Sequence, residues 1–88
     1  MIKIKYYTDP GHGWFAVKRD LLVKLGMQYD VSHYSYQRGA TVYLEEDCDA
    51  TLLFNRARAM GIEIAYTEKH TDTTHPIRSY DHYRSAPC

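Results

Sequence analysis

The chain predicts an α+β fold, a largely antiparallel sheet with two helices on one face, and three observations carry that prediction. Polarity alternates with a period of two at Ile2-Lys3-Ile4-Lys5-Tyr6 and again at Ile62-Glu63-Ile64-Ala65-Tyr66, the pattern of strands with one buried face. Residues 34–37 and 40–45 are strand-like and flank Arg38-Gly39, where glycine can take the positive φ that a tight hairpin needs. Asp47-Cys48-Asp49 precedes a stripe of Ala50, Leu53, Phe54, Ala57 and Met60, an acidic helix start followed by helical spacing of apolar side chains.

In chain order, the first strand ends at Asp9-Pro10-Gly11-His12-Gly13, whose proline and glycines supply turn geometry, so residues 14–17 return as an antiparallel strand. Residues 20–25 place Leu21, Leu22 and Leu25 on one side of a short helix that stops at Gly26, a residue suited to a helix C-terminus. In the hairpin, a two-residue Arg38-Gly39 loop sets Gln37 opposite Ala40, Tyr36 opposite Thr41 and Tyr34 opposite Tyr43. Tyr34, Tyr36, Thr41 and Tyr43 then share one face and Val42 and Leu44 the other. Gly61 closes the second helix, and the strand from Ile62 completes the order ββαββαβ. If residues 14–17 instead join the first helix, the order becomes βαββαβ, the ferredoxin-like arrangement. Either arrangement packs the helices mainly on one sheet face, leaving the second to the tail, a partner or water. Residues 1–69 form one α+β domain on this reading. Residues 70–88 are polar, hold two prolines and lack a periodic stripe, and read as an extended C-terminal tail packed back through Ile77, Tyr80 and Tyr83.

A chain of 88 residues makes a single small core and excludes a two-domain enzyme. Eleven basic residues match 11 acidic ones, but unevenly. Residues 1–27 carry Lys3, Lys5, Lys18, Arg19 and Lys24 against Asp9 and Asp20, whereas residues 28–49 carry Arg38 against Asp30, Glu45, Glu46, Asp47 and Asp49. The neutral total counts against a protein that holds nucleic acid mainly through its phosphates and leaves room for a local basic patch. The alternating N-terminus is unlike the apolar core of a signal peptide, and no apolar run reaches membrane-spanning length, so a cytoplasmic protein without a membrane partner is expected. Cys48 and Cys88 are too few for a disulfide scaffold and are expected as reduced thiols.

The motifs that could carry chemistry are weak ones. His70, Asp72 and His75, with Asp9 and His12 as distant partners, fit no familiar zinc spacing and lack paired cysteines, so they read as solvated loop residues. His33 and His82 add nothing specific. Cys48 sits near a helix N-terminus, which favours a thiolate, but Glu45, Glu46, Asp47 and Asp49 oppose a further anion. It reads as a small buried or capping-region cysteine. The glycine turn lacks the longer pattern and the lysine of a P-loop. Trp14 and Phe15 read as core, since large aromatics dominate burial in small domains.

Four segments together, Asp9-Pro10-Gly11-His12-Gly13-Trp14, Tyr34-Ser35-Tyr36-Gln37-Arg38-Gly39, Val42-Tyr43-Leu44-Glu45-Glu46-Asp47-Cys48-Asp49-Ala50 and Pro76-Ile77-Arg78-Ser79-Tyr80, resemble a family of small uncharacterised proteins encoded by bacteria, phages and other mobile elements. The resemblance spans most of the chain and brings no catalytic signature with it. It implies an origin rather than a mechanism. Small neutral phage proteins often dock onto host machinery, anti-CRISPR proteins being one such class, an analogy of size and setting.

The expected function is therefore that of a non-enzymatic interaction protein, an inhibitor of a host protein or ribonucleoprotein complex, with Tyr34, Tyr36, Arg38, Tyr43, Glu45 and Glu46 as the partner-binding surface. Tyrosine and arginine are favoured interface anchors, and the acidic run could meet a basic protein surface. No catalytic residue, metal or cofactor is expected. The alternative is a nucleic-acid-binding module in which the tyrosines join Lys3, Lys5, Tyr7 and Arg38 on the uncovered face to stack bases. The sequence Arg38-Gly39-Ala40-Thr41-Val42-Tyr43 lacks the aromatics of an RRM signature. A small hydrolase built on His12 and acidic residues ranks third.

Overall fold

A computed structural model describes residues 1–84; Cys88 and the end of the expected tail lie outside the described residues. Strands β1 (Ile2–Thr8) and β2 (Gly13–Lys18) lead into helix α1 (Arg19–Lys24). Strands β3 (Tyr36–Arg38) and β4 (Thr41–Glu45) form the second hairpin, helix α2 (Ala50–Ala59) follows, and β5 (Ile64–His70) returns to the sheet. A 3-10 helix (Pro76–Ser79) and a short strand β6 (Asp81–His82) complete the described chain. The sheet has six strands in the order β5-β1-β2-β4-β3-β6. Only β1 and β5 are parallel; the remaining pairs are antiparallel. The fold is thus the α+β class, and residues 14–17 are strand, so the ferredoxin-like alternative is set aside.

Alternation along each strand divides the sheet into two faces. On one, Phe15, Val17, Val42 and Leu44 meet Leu22 of α1 and Leu53 of α2 in the main core. The ring of Tyr6 stacks on Phe15 with centroids 4.2 Å apart, and Phe54 meets Phe15 edge-on at 5.1 Å. Gly13 makes that arrangement possible, since a Cβ there would lie 2.6 Å from the Tyr6 hydroxyl oxygen.

The second hairpin keeps its expected faces but not its expected register. Tyr36 pairs with Tyr43 and Arg38 with Thr41, so the two-residue loop is Gly39-Ala40 rather than Arg38-Gly39. Gly39 takes φ 59° and, among the described residues, no non-glycine residue has positive φ, so the one left-handed position falls first in the loop, as hairpins of the II′ kind require. The two-residue slip preserves parity. Tyr36, Thr41 and Tyr43 therefore share a face as expected, while Tyr34 precedes the strand.

The second helix departs in two details. Met60 lies beyond α2 and is 52% exposed, so the stripe ends at Ala57. Asp49 stands at the N-cap but makes no side-chain cap bond. Its carboxylate instead accepts the Ser32 amide and the Ser32 and Ser35 hydroxyls, which ties the loop before β3 to the start of α2.

The segment after β5 is more regular than an extended tail. The 3-10 helix, begun by His75 whose Nδ1 accepts the Ile77 amide at 3.1 Å, buries Ile77 completely. Strand β6 then adds to the edge of β3, and Tyr83 enters the core on the helix side, its hydroxyl donating to the Gln28 carbonyl. Through Tyr83 the segment thus crosses the second sheet face as a strap and reaches the first. Among the described residues no helix is long and apolar enough to cross a membrane.

Candidate functional site

The strap is fastened by one carboxylate. Asp9, whose side chain is fully buried, takes the Arg78 guanidinium through two bonds, Nε to Oδ2 at 2.8 Å and Nη2 to Oδ1 at 2.9 Å. It also accepts the amides of Gly11, His12 and His75. The Arg78 bond, followed in importance by those backbone amides acting against burial, holds the Asp9 carboxyl well below the usual carboxylate range. A bidentate pair of this kind fixes geometry as well as charge. It sets the 3-10 helix over β2, with the Arg78 guanidinium 5.8 Å from the Trp14 ring centre and His75 against both Trp14 and Tyr7.

Beside the strap lies a pocket of about 360 Å³ between the first turn, the loop before β3 and the turn before α2. Trp14, Tyr34 and Tyr36 supply aromatic walls, Glu45 and Asp47 carboxylates, and His12, Cys48 and Arg78 the remainder. Each wall has a local cause. Tyr36 stacks on His82 of the neighbouring strand with centroids 4.8 Å apart and meets Trp14 edge-on at 6.3 Å. Ser35, between the two tyrosines, is completely buried, donating to Asp49 and accepting the Glu45 amide at 2.9 Å. That bond pins the loop so that Tyr34 projects with 59% of its surface exposed, its ring stacked on His33 at 4.6 Å. Glu45 is nearly buried, and its Oε2 accepts the Asp47 amide at 3.1 Å.

The six residues expected to bind a partner do not form one patch. Tyr34, Tyr36 and Glu45 line the pocket. Tyr43 sits farther along the sheet, between Tyr7 at 6.3 Å and Tyr80 at 5.3 Å. Arg38 is exposed at the end of β3, its guanidinium lying over the Tyr80 ring of the strap at 5.0 Å. Glu46 turns to the helix-covered side, where it accepts the Tyr6 hydroxyl; burial and this bond push the Tyr6 phenol far above its ordinary value. His12, Trp14, Asp47, Cys48 and Arg78 join the pocket without having been singled out for it. The one available signal was the repeated joining of histidine, tryptophan and arginine to turn residues in Asp9-Pro10-Gly11-His12-Gly13-Trp14 and Pro76-Ile77-Arg78.

The other candidate chemistries are dispersed by the fold. Cys48 is exposed rather than buried. The Glu45 hydrogen bond, followed by partial loss of hydration and the charges of Glu45, Asp49 and Asp47, raises its thiol, which works against a nucleophilic thiolate. Asp9 and His75 are engaged with the strap, and His70 lies 3.3 Å from the exposed Asp72. Among the described residues no group of three or more His, Cys, Asp or Glu side chains converges as metal ligands do.

What the pocket can do follows from its walls. Arg78 is already neutralised by Asp9, so the charge left to an incoming group is that of Glu45 and Asp47. Aromatic faces beside carboxylates favour a cationic side chain, which gains from ring quadrupoles and from charge-assisted hydrogen bonds. Comparison of the chain with family models, with curated proteins and with solved structures found no match. The site and fold therefore define a small α+β sheet protein with an acidic, aromatic pocket.

Proposed function

We propose that this chain is a non-enzymatic interaction protein that docks onto a partner protein in the cytoplasm and takes a lysine or arginine side chain of that partner into the pocket beside the strap. The observation that carries the reading is the pocket itself, whose lining brings the exposed Tyr34 and the half-buried Tyr36 together with the carboxylates of Glu45 and Asp47. Tyrosines anchored on rigid elements contribute contact area at little entropic cost. The resemblance of four segments to small phage and mobile-element proteins supports a host complex as the partner and inhibition, in the manner of anti-CRISPR proteins, as the outcome of docking.

Affinity capture from a bacterial lysate, with and without nuclease, tests this. A stoichiometric protein that survives nuclease and is lost with the Tyr34→Ala/Asp47→Asn double variant is the expected result. Retention of the same protein by that variant, while circular dichroism shows it folded, would reject the pocket as the docking site.

A further inference from the structure

The far end of the strapped sheet face has a different character. Register places Thr67, Lys5, Ala16, Tyr43, Tyr36 and His82 in one row across all six strands. The row on one side runs Lys69, Tyr7, Trp14, Glu45, and on the other Lys18 pairs with Thr41 and Thr41 with Arg38. The strand positions of this face therefore bear Lys3, Lys5, Lys18, Arg38 and Lys69 as cations against Glu45 alone, with Glu45 at the pocket end. Glu63 precedes β5, and Glu68 alternates onto the helix side, where its carboxylate meets Thr8. A chain of zero net charge thus carries a locally basic surface.

That surface is concave. A groove of about 310 Å³ is lined by Lys3 and Lys5 of β1, Lys18 of β2, Tyr7 and Tyr43, with Ile2, Ile4, Val17 and Leu21 among its apolar lining. Ala16, between Lys5 and Tyr43 in register, keeps the floor low. No carboxylate lines the groove, and among the described residues none of these three lysines forms an ion pair. Lys3 and Lys5, two residues apart on one strand, stand about 6.8 Å apart along it.

We propose that this groove binds single-stranded nucleic acid, the lysines taking backbone phosphates and Tyr7 and Tyr43 offering ring faces to the bases. Unpaired lysines give an attraction that grows with each phosphate neutralised. Tyrosine faces select unstacked bases over a duplex, whose bases are already stacked. The site is separate from the acidic pocket, so a partner holding both protein and exposed RNA or DNA would engage the two ends of one face.

Fluorescence anisotropy of a 5′-labelled oligothymidylate titrated with the protein tests this. Three phosphate contacts to a single strand predict a log–log salt slope of about −2, so that a fourfold rise in salt weakens binding about twentyfold. The Lys3→Gln/Lys5→Gln/Lys18→Gln variant, altered only at exposed positions, is expected to bind at least about tenfold more weakly with a flattened salt slope. The Tyr34→Ala/Asp47→Asn variant is expected to bind as the wild type does, which separates this site from the protein-docking pocket. No binding by the wild type at low salt, undiminished binding by the lysine variant, or equal affinity for a polyglutamate peptide would each overturn the proposal.

Discussion

The two faces of the sheet are held by different physics. The helix-covered face is sealed by interdigitating apolar side chains, with Leu22, Met27, Val42, Leu44 and Leu53 all fully buried, and its energy is spread over many small contacts. The strapped face is closed by a few directional ones, a carboxylate pinning an arginine and two rings under guanidinium groups, with Ile77 as a single completely buried aliphatic beside them. Spread contacts make a stable floor. Directional ones leave space between them, and the pocket and groove of this protein lie in those spaces.

The contrast can be broken at four points. The largest effect is expected from Leu53→Ala, which opens a cavity on the sealed face and should cost about 2–5 kcal/mol, measured by urea denaturation. Partner capture should survive wherever the variant remains folded, because Leu53 lies on the opposite side of the sheet from the pocket. Removing the strap's fastening with Asp9→Asn should cost about 2 kcal/mol, the scale of leaving buried donors without their acceptor.

This second variant carries a pH signature. Folding lowers the Asp9 value, so its ionised form contributes in full above the unfolded value of about 3.9, and the contribution drains away as pH falls from there toward the depressed folded value. The gap in urea midpoint between wild type and Asp9→Asn should therefore be wide at neutral pH and narrow progressively below about pH 4. A gap independent of pH would show that Asp9 acts through shape rather than charge.

Smaller effects separate strap from pocket. Arg38→Ala removes one cation–ring contact to Tyr80 and should cost about 0.5–1 kcal/mol, with faster amide exchange in the 3-10 helix and no change in α2. Tyr34→Ala should change stability by less than about 0.5 kcal/mol, as exposed substitutions usually do, while abolishing capture of the protein partner. Together these variants would distinguish a face that is merely closed from one that is used.

How much of this was legible in the sequence differs between the faces for the same reason. Alternation and helical spacing report which residues are buried by regular elements, so β1 to β5, both helices and the sharing of a face by Tyr36, Thr41 and Tyr43 followed from local pattern, whereas β6 and the 3-10 helix, in a segment without a periodic stripe, did not. The Arg38-Gly39 loop was displaced by one residue, because a single left-handed glycine is served equally by the first or second loop position. The pocket depended on contacts between distant segments. Nothing local links Asp9 to Arg78, 69 positions apart, or turns the Asp49 carboxylate from its own helix to Ser32 and Ser35. Glu46, next after Glu45, alternates onto the helix-covered side, where the Tyr6 hydroxyl donates to it; which distant residue it would meet there was not legible locally.

The most direct test of the account is amide hydrogen exchange of the protein alone and in complex with its captured protein partner. New protection is predicted at residues 12–14, 34–36 and 47–48, with the exposed side of α2 around Asn55 and Arg58 unchanged. Protection concentrated on α2, with those three segments exchanging as in the free protein, would place the working surface on the other face and contradict the account.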